Sequence, residues 1–101
     1  MGYLGGMTPG SLEATRVKGD ELEPAYSDGD VLYHPKELDQ DWRRHIGRRC
    51  LVRLRTGETV AGKVLAGAGR SAQIIDFRGH PIASGAIAGV WRIVWAKQGD
   101  G

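Results

Sequence analysis

The side chains that could do chemistry crowd into the first third of the chain. Asp20, Glu21, Glu23, Asp28 and Asp30 put five carboxylates into eleven residues. Hard cations take carboxylate oxygens, yet this spacing matches no calcium loop, and Asp28-Gly29-Asp30 reads as turn chemistry. Glu21 and Glu23 would share a cleft only in an extended segment, and nothing beside them supplies a sugar platform, so a glycosidase pair is not expected. His34, His45 and His80 have no second ligand at metal spacing, which leaves them solvent or turn roles. No metal and no cofactor is expected. A lysine such as Lys63 could serve as a base, with a nucleophile such as Ser27 or Ser84. That pairing needs hydrogen-bond reach and an oxyanion hole, which spacing does not supply.

Two further features bear on partners. Arg43, Arg44, His45, Arg48 and Arg49 form a dense basic cluster beside Trp42, and such a patch can hold phosphate. Glu37, Asp39 and Asp41 lie just upstream and nearly cancel it, so a solvated loop is expected. The whole chain is near balance, with 14 basic and 12 acidic side chains and a net charge of +2, which makes no general case for wrapping nucleic acid. The single cysteine, Cys50, excludes an internal disulfide and sits in an alternating pattern that suits a small buried group. No apolar run reaches the length of a membrane span and no charged-then-apolar leader is present, so a cytoplasmic protein without membrane contact is expected.

The elements that must position these groups are short. A chain of 101 residues makes one domain with a single modest core. Its 16 glycines and closely spaced apolar runs favour an all-β fold with minor helix. Residues 1–13 read as a linker or arm, 14–97 as the folded domain and 98–101 as a tail. A first strand is expected over 14–17, a single helical turn around Leu22, Pro24, Ala25 and Tyr26 closed by Ser27 to Asp30, and a second strand over 31–34. Glu37, Leu38, Trp42 and Ile46 fall at helical spacing before Gly47, which predicts a short helix or helical loop over 37–46. Arg49 to Leu54 alternates strictly, with Cys50, Val52 and Leu54 on one face, and Thr56-Gly57 turns it into a hairpin partner over 59–65. A strand over 72–77, a turn at Arg78-Gly79-His80-Pro81 and a closing strand over 87–95 complete the reading. Trp91, Ile93 and Trp95 at period two place large apolar area on one face of that last strand.

Residues 17–33, Val-Lys-Gly-Asp-Glu-Leu-Glu-Pro-Ala-Tyr-Ser-Asp-Gly-Asp-Val-Leu-Tyr, resemble the start of the C-terminal domains of LexA and phage repressors, peptidase family S24. The family pattern is Gly-Asp-Ser-Met-x-Pro followed shortly by Asp-Gly-Asp, with the serine attacking a peptide bond. Asp20, Glu21, Leu22, Glu23 and Pro24 occupy that segment, which in the family lines a cleft, and Glu21 stands at the serine position. The family's general-base lysine lies on the second strand of a hairpin. Counted from the turn glycine of Gly57-Glu58-Thr59-Val60-Ala61-Gly62-Lys63-Val64, its position falls on Gly62, while Lys63 falls on the neighbouring basic residue of the opposite face. A one-residue bulge would bring Lys63 into the cleft. The later serine and asparagine are replaced in Ile75 to Pro81. Gly2-Tyr3-Leu4-Gly5-Gly6-Met7 is similar to the family's self-cleavage stretch, with the scissile pair altered. The likeness spans residues 3–95.

The resemblance implies a LexA and signal-peptidase-like barrel of the β-clip type, built of short, mostly antiparallel strands. It implies a domain without catalysis, because a carboxylate cannot replace an activated hydroxyl in acyl transfer. What remains is a regulatory and dimerisation domain of a phage-repressor-like transcriptional regulator. Val90, Trp91, Ile93 and Trp95 are its expected homodimer surface, and the degenerate cleft is a seat for a protein partner. DNA would be contacted only through an N-terminal helix-turn-helix outside this chain. Two other readings stand beside it: a divergent peptidase or hydrolase using Lys63, and a ligand or peptide sensor using the old substrate groove. Glu21 is expected to have Lys63 or Arg53 as a charge partner, or an open, wet site.

Overall fold

The computed structural model describes residues 12–68 and 71–99, without the side chains of residues 84 and 85. The arm stretch 2–7 lies outside them, as do the last two residues of the 98–101 tail. The chain forms eight strands: β1 (Leu12–Arg16), β2 (Val31–Pro35), β3 (Arg49–Leu54), β4 (Thr59–Ala66), β5 (Ala72–Ile75), β6 (Pro81–Gly85), β7 (Ile87–Arg92) and β8 (Trp95–Lys97). They make two antiparallel sheets, a three-stranded one in the order β1-β2-β8 and a five-stranded one in the order β6-β5-β4-β3-β7.

The all-β expectation stands, but the barrel does not. Both sheets are open, because β6 and β7 remain edges of the larger sheet and β1 and β8 edges of the smaller. The chain changes sheets where the closing strand was expected to run unbroken. Ile93 still donates its N–H to the Arg49 carbonyl of β3, and one residue later Val94 donates to Tyr33 of β2. Trp91 and Trp95 therefore belong to different sheets, and β1 passes beside the larger sheet without pairing to it.

The helix expected over 37–46 is reduced to one 3-10 turn, Trp42–His45. Asp39 exchanges both backbone hydrogen bonds with Val90, at 2.9 Å each, which takes its N–H and C=O out of any helical ladder. The Asp39 carboxylate also accepts the Asp41 N–H at 2.9 Å. This segment thus covers part of the β7 edge, which an open sheet would otherwise leave unpaired. Gly89 admits the crossing because a Cβ there would meet the Leu38 side chain and the Asp39 carbonyl oxygen.

Two apolar clusters lie on the two faces of the five-stranded sheet. One consists of Cys50, Val52, Val64, Ala72, Ile74, Ile87 and Val90, with Trp42, Leu54, Val60 and Ala83 packed against it. The other joins the sheets through Val17, Tyr26, Leu32 and Leu51, backed by Leu22, Ala61, Phe77, Trp91 and Ile93. Period-two alternation assigns the faces: Cys50 and Val52 go to the first, while Leu51 and Arg53 point the other way. Burial at Cys50 pushes its thiol up to about 11, against a weaker lowering by Arg92, so it stays protonated at neutral pH.

Candidate functional site

The segment 18–30 is folded onto the sheets by its own turn residues. Gly19 N–H donates to the Asp28 carboxylate at 2.7 Å, Ser27 N–H to that of Asp30 at 2.8 Å, and Gly99 N–H to Asp30 at 3.0 Å. These backbone donors, Ser27 first and then Gly99, hold the Asp30 carboxyl below its ordinary value. Gly29 adopts φ +91°, which L side chains rarely do, and so closes the turn. Two arginines fasten the segment from outside. Arg78 Nε donates to the Glu23 carbonyl at 2.7 Å, and the Arg49 guanidinium lies 5.4 Å from the Tyr26 ring and 5.5 Å from Phe77. Asp28 and Asp30 are thus engaged in turns, and no group of metal-ligating side chains is found among the described residues.

Between β1 and the exposed part of the β3–β4 face runs a groove of two adjoining cavities, of about 500 and 420 Å³, that share Thr15, Leu51, Thr59, Val60 and Ala61. Glu21 and Leu22 line the first cavity together with Lys18, Glu58 and Asp76. Glu13, His34, Arg53 and Trp91 line the second. Glu21 is thus in a groove, but it is exposed, and among the described residues it forms no ion pair. Of the two expected partners, Arg53 stands in the other cavity and Lys63 lines neither. Asp20, Glu23 and Pro24 are exposed on the turn.

The β3–β4 register is continuous, pairing Arg49 with Lys63, Cys50 with Gly62, and Leu51 with Ala61. Lys63 therefore shares the groove-side face with Ala61, and Gly62 turns to the closed face, the reverse of the facing expected from the hairpin count. At Gly62 a Cβ would overlap the Ile75 carbonyl oxygen and press on Ile74, so no lysine fits there. Ala61 lines the first cavity together with Glu21. Neither position carries a base, and no bulge interrupts β4 to supply one. Ser27 is exposed in its turn. Ser84 pairs with Gln73 on β6, and its side chain is outside the described part.

A different pair meets inside the groove. Thr15 Oγ1 lies 2.8 Å from His34 Nε2, and His34 Nδ1 lies 2.9 Å from the Pro35 carbonyl oxygen. A carbonyl only accepts, so Nδ1 carries a proton. His34 is 4% exposed, which corrects the solvent or turn role expected for it. A hydroxyl against an imidazole has the form of an activated nucleophile. Here the imidazole is oriented by a backbone carbonyl where a hydrolytic triad places a carboxylate, with Trp91 beside the ring and Arg53 in the same lining. The pair was missed because Thr15 and His34 are joined only by the β1–β2 register, which places Thr15 opposite Leu32 and Glu13 opposite His34.

The basic cluster is dispersed. Arg44 and His45 meet Asp39 at 3.7 and 2.8 Å, Arg43 lies 4.7 Å over Trp42, and Arg49 stacks on Tyr26. The His45 hydrogen bond, followed by the Asp41 N–H, holds Asp39 below its ordinary value. The His80 turn is likewise built on Asp76, which accepts the N–H groups of Arg78 and His80 at 2.9 and 2.8 Å.

The surface expected for self-association is also divided. Val90 is fully buried and cannot serve. Trp91 and Ile93 pack against the inter-sheet cluster. Trp95 alone remains open, 44% exposed and stacked on Tyr33 at 4.9 Å. Among the described residues no helix is long and apolar enough to cross a membrane. Comparison of the chain with family models, with curated proteins and with solved structures gives no match.

Proposed function

We propose that this chain is a non-cleaving interaction domain, of the kind that serves LexA-like and phage-repressor-like regulators, and that its groove seats an extended segment of a protein partner. The observation that carries the reading is the groove itself, bordered by an edge of β1 that is unpaired among the described residues and lined by Glu21, which stands at the serine position of the family that the chain resembles. Val17 exchanges hydrogen bonds with residues 29 and 30 on the β2 side, so by alternation Ala14 and Arg16 direct their N–H and C=O groups to the other edge of β1. An extended peptide can add there as a further strand while its side chains reach the β3–β4 face.

The test is panning of a displayed random-peptide library on the wild-type domain and on Ala61→Trp, in which an indole fills the groove floor. Enriched peptides should bind wild type and lose affinity for the variant; peptides indifferent to the substitution would sink the groove reading. Incubation of the purified protein at alkaline pH should leave it intact, and time-dependent fragments would reject the non-cleaving part. A homodimer is favoured by the Tyr33–Trp95 stack, which with Ala14 forms one cross-strand row on the outer face of the smaller sheet. Sedimentation should give twice the 10.9 kDa chain mass, falling to one for Trp95→Ala.

A further inference from the structure

The Arg53 end of the groove is prepared for an anion. Arg53 faces Thr59 across the β3–β4 pair and donates Nε to the Thr59 hydroxyl at 2.8 Å, while its guanidinium carbon lies 5.3 Å from the centre of the Trp91 ring. Trp91 is itself held, its indole N–H directed at the Lys36 carbonyl at 3.4 Å. The side chain is therefore oriented before any ligand arrives. Among the described residues, neither of its terminal nitrogens forms a salt bridge. A guanidinium fixed in this way presents a planar fork that matches a carboxylate with two parallel hydrogen bonds.

The groove also has a direction. β1 runs from the Arg53 cavity towards the Glu21 cavity, since Glu13 lines the former and Val17 and Lys18 the latter. A peptide that adds antiparallel to β1 must run the other way, so its carboxyl end arrives at Arg53. Its amino end lies by Glu21, Glu58 and Asp76, where one of the two basic residues, Arg16, is already bonded to the Gly29 carbonyl. Glu13 is the carboxylate on the Arg53 side, exposed at the rim. Among the described residues Arg53 is the only Lys or Arg lining that cavity, so beside Glu13 a doubly charged phosphate would leave more uncompensated negative charge than a singly charged carboxylate does.

We infer that Arg53 forms a carboxylate subsite, and that the groove's ligand is an extended peptide, antiparallel to β1, whose carboxylate docks on that guanidinium. The inference rests on the groove being a binding site, as proposed above. The carboxylate is either the chain terminus of the peptide or an Asp or Glu side chain, and these are separable.

Three pools of N-acetylated hexapeptides, randomised over apolar and hydroxyl residues, distinguish them: one ending in a free acid, one amidated, and one amidated with aspartate last. Binding is read from the NMR shifts of Arg53 Nε–H, the Trp91 indole N–H and the Ala14 and Arg16 amides. The free-acid pool should move all four and bind about tenfold tighter than the plain amide pool, as expected for a charge-assisted pair. If the aspartate-amide pool equals the acid pool, the carboxylate comes from a side chain; if it equals the plain amide, from a terminus. Arg53→Gln should bring the acid pool down to the amide level with the spectrum otherwise dispersed as in wild type, and Arg53→Lys should recover part of the loss. Equal binding of all pools, unchanged by Arg53→Gln, overturns the subsite and leaves the groove standing. No shift of the Ala14 and Arg16 amides with any pool overturns both.

Discussion

The two faces of the five-stranded sheet carry similar alternating apolar side chains but are covered differently. On one face Val52, Val64, Ile74, Cys50 and Val90 are all fully buried. On the other, the smaller sheet and the 18–30 segment cover Leu51 and part of Trp91, while Thr59, Ala61 and Arg53 open into the groove. The difference lies in what each face has to accommodate. The closed face is packed to the point that Gly62 has no room for a methyl group. The open face leaves β1 standing beside the sheet with one edge unpaired among the described residues, and a strand edge beside a cavity is a place to bind. Stability should therefore be concentrated on one face and function on the other.

The largest test of that division is substitution on the closed face. Ile74→Ala removes a fully buried side chain and should cost about 3 kcal/mol. Gly62→Ala should also cost about 3 kcal/mol, since the new methyl must push β5 away from β4 through the Ile75 carbonyl. Ile82→Ala, at a residue 44% exposed in the groove lining, should stay within about 0.5 kcal/mol. Urea denaturation of the three variants measures the contrast. An Ile82→Ala cost equal to that of Ile74→Ala would erase it. The Gly62 result also governs any attempt to rebuild a peptidase: Glu21→Ser with Gly62→Lys should unfold the domain before it could cleave anything.

How much of this was legible in the sequence depended on whether local order carried it. Residues 49–54 alternate so strictly, and Thr56-Gly57 turns them so plainly, that β3, β4 and their pairing could be read without a structure. β6 could not, because Pro81, Ala83, Ser84 and Gly85 have little strand preference and are held by pairing with β5. The closing segment misled for a related reason. Trp91, Ile93 and Trp95 keep period two through the point where the chain exchanges β3 for β2, and side-chain period says nothing about which strand lies alongside. Of the groove, Glu21 was visible through its place in the Gly-Asp-Glu-Leu-Glu-Pro segment. Thr15 and His34 were not, and Arg53 was read only as a charge partner of Glu21, since the three converge only through the packing of two sheets.

A second, smaller effect separates the polar clasps from both faces. Asp39 and Asp76, like Asp30, have carboxyls held below the ordinary value of 3.8, Asp39 chiefly by His45 and Asp76 chiefly by the His80 N–H. A folded-state value lower than the unfolded one means that the stabilisation is present above about pH 4 and is lost as pH falls below it through the folded-state values. Urea midpoints should accordingly be flat from pH 7 to about 5 and decline towards pH 3. Asp39→Asn should weaken that decline, because it removes one of the protons taken up on acid unfolding. A midpoint that rises on acidification would show that the turns and the Asp39 clasp contribute nothing through these carboxylates.

The smallest expected effect on stability belongs to the residue that first drew attention to the groove. Glu21 is exposed and has no ion-pair partner among the described residues. Its carboxylate is left in water, so no burial cost and no paired charge is released when it is replaced. Glu21→Gln should therefore shift stability by no more than about 0.5 kcal/mol, the range of ordinary surface substitutions. On binding it should act where Arg53 does not: it removes one of the three carboxylates at the amino end of the groove, and so should weaken peptides that begin with a free amine or a lysine more than their acetylated counterparts. Fluorescence-monitored unfolding and titration with one peptide in its free and acetylated forms measure the two effects together. A loss of stability above about 2 kcal/mol would mean that Glu21 is part of the closed architecture, and the division between a packed face and a binding face would fail at its most exposed point.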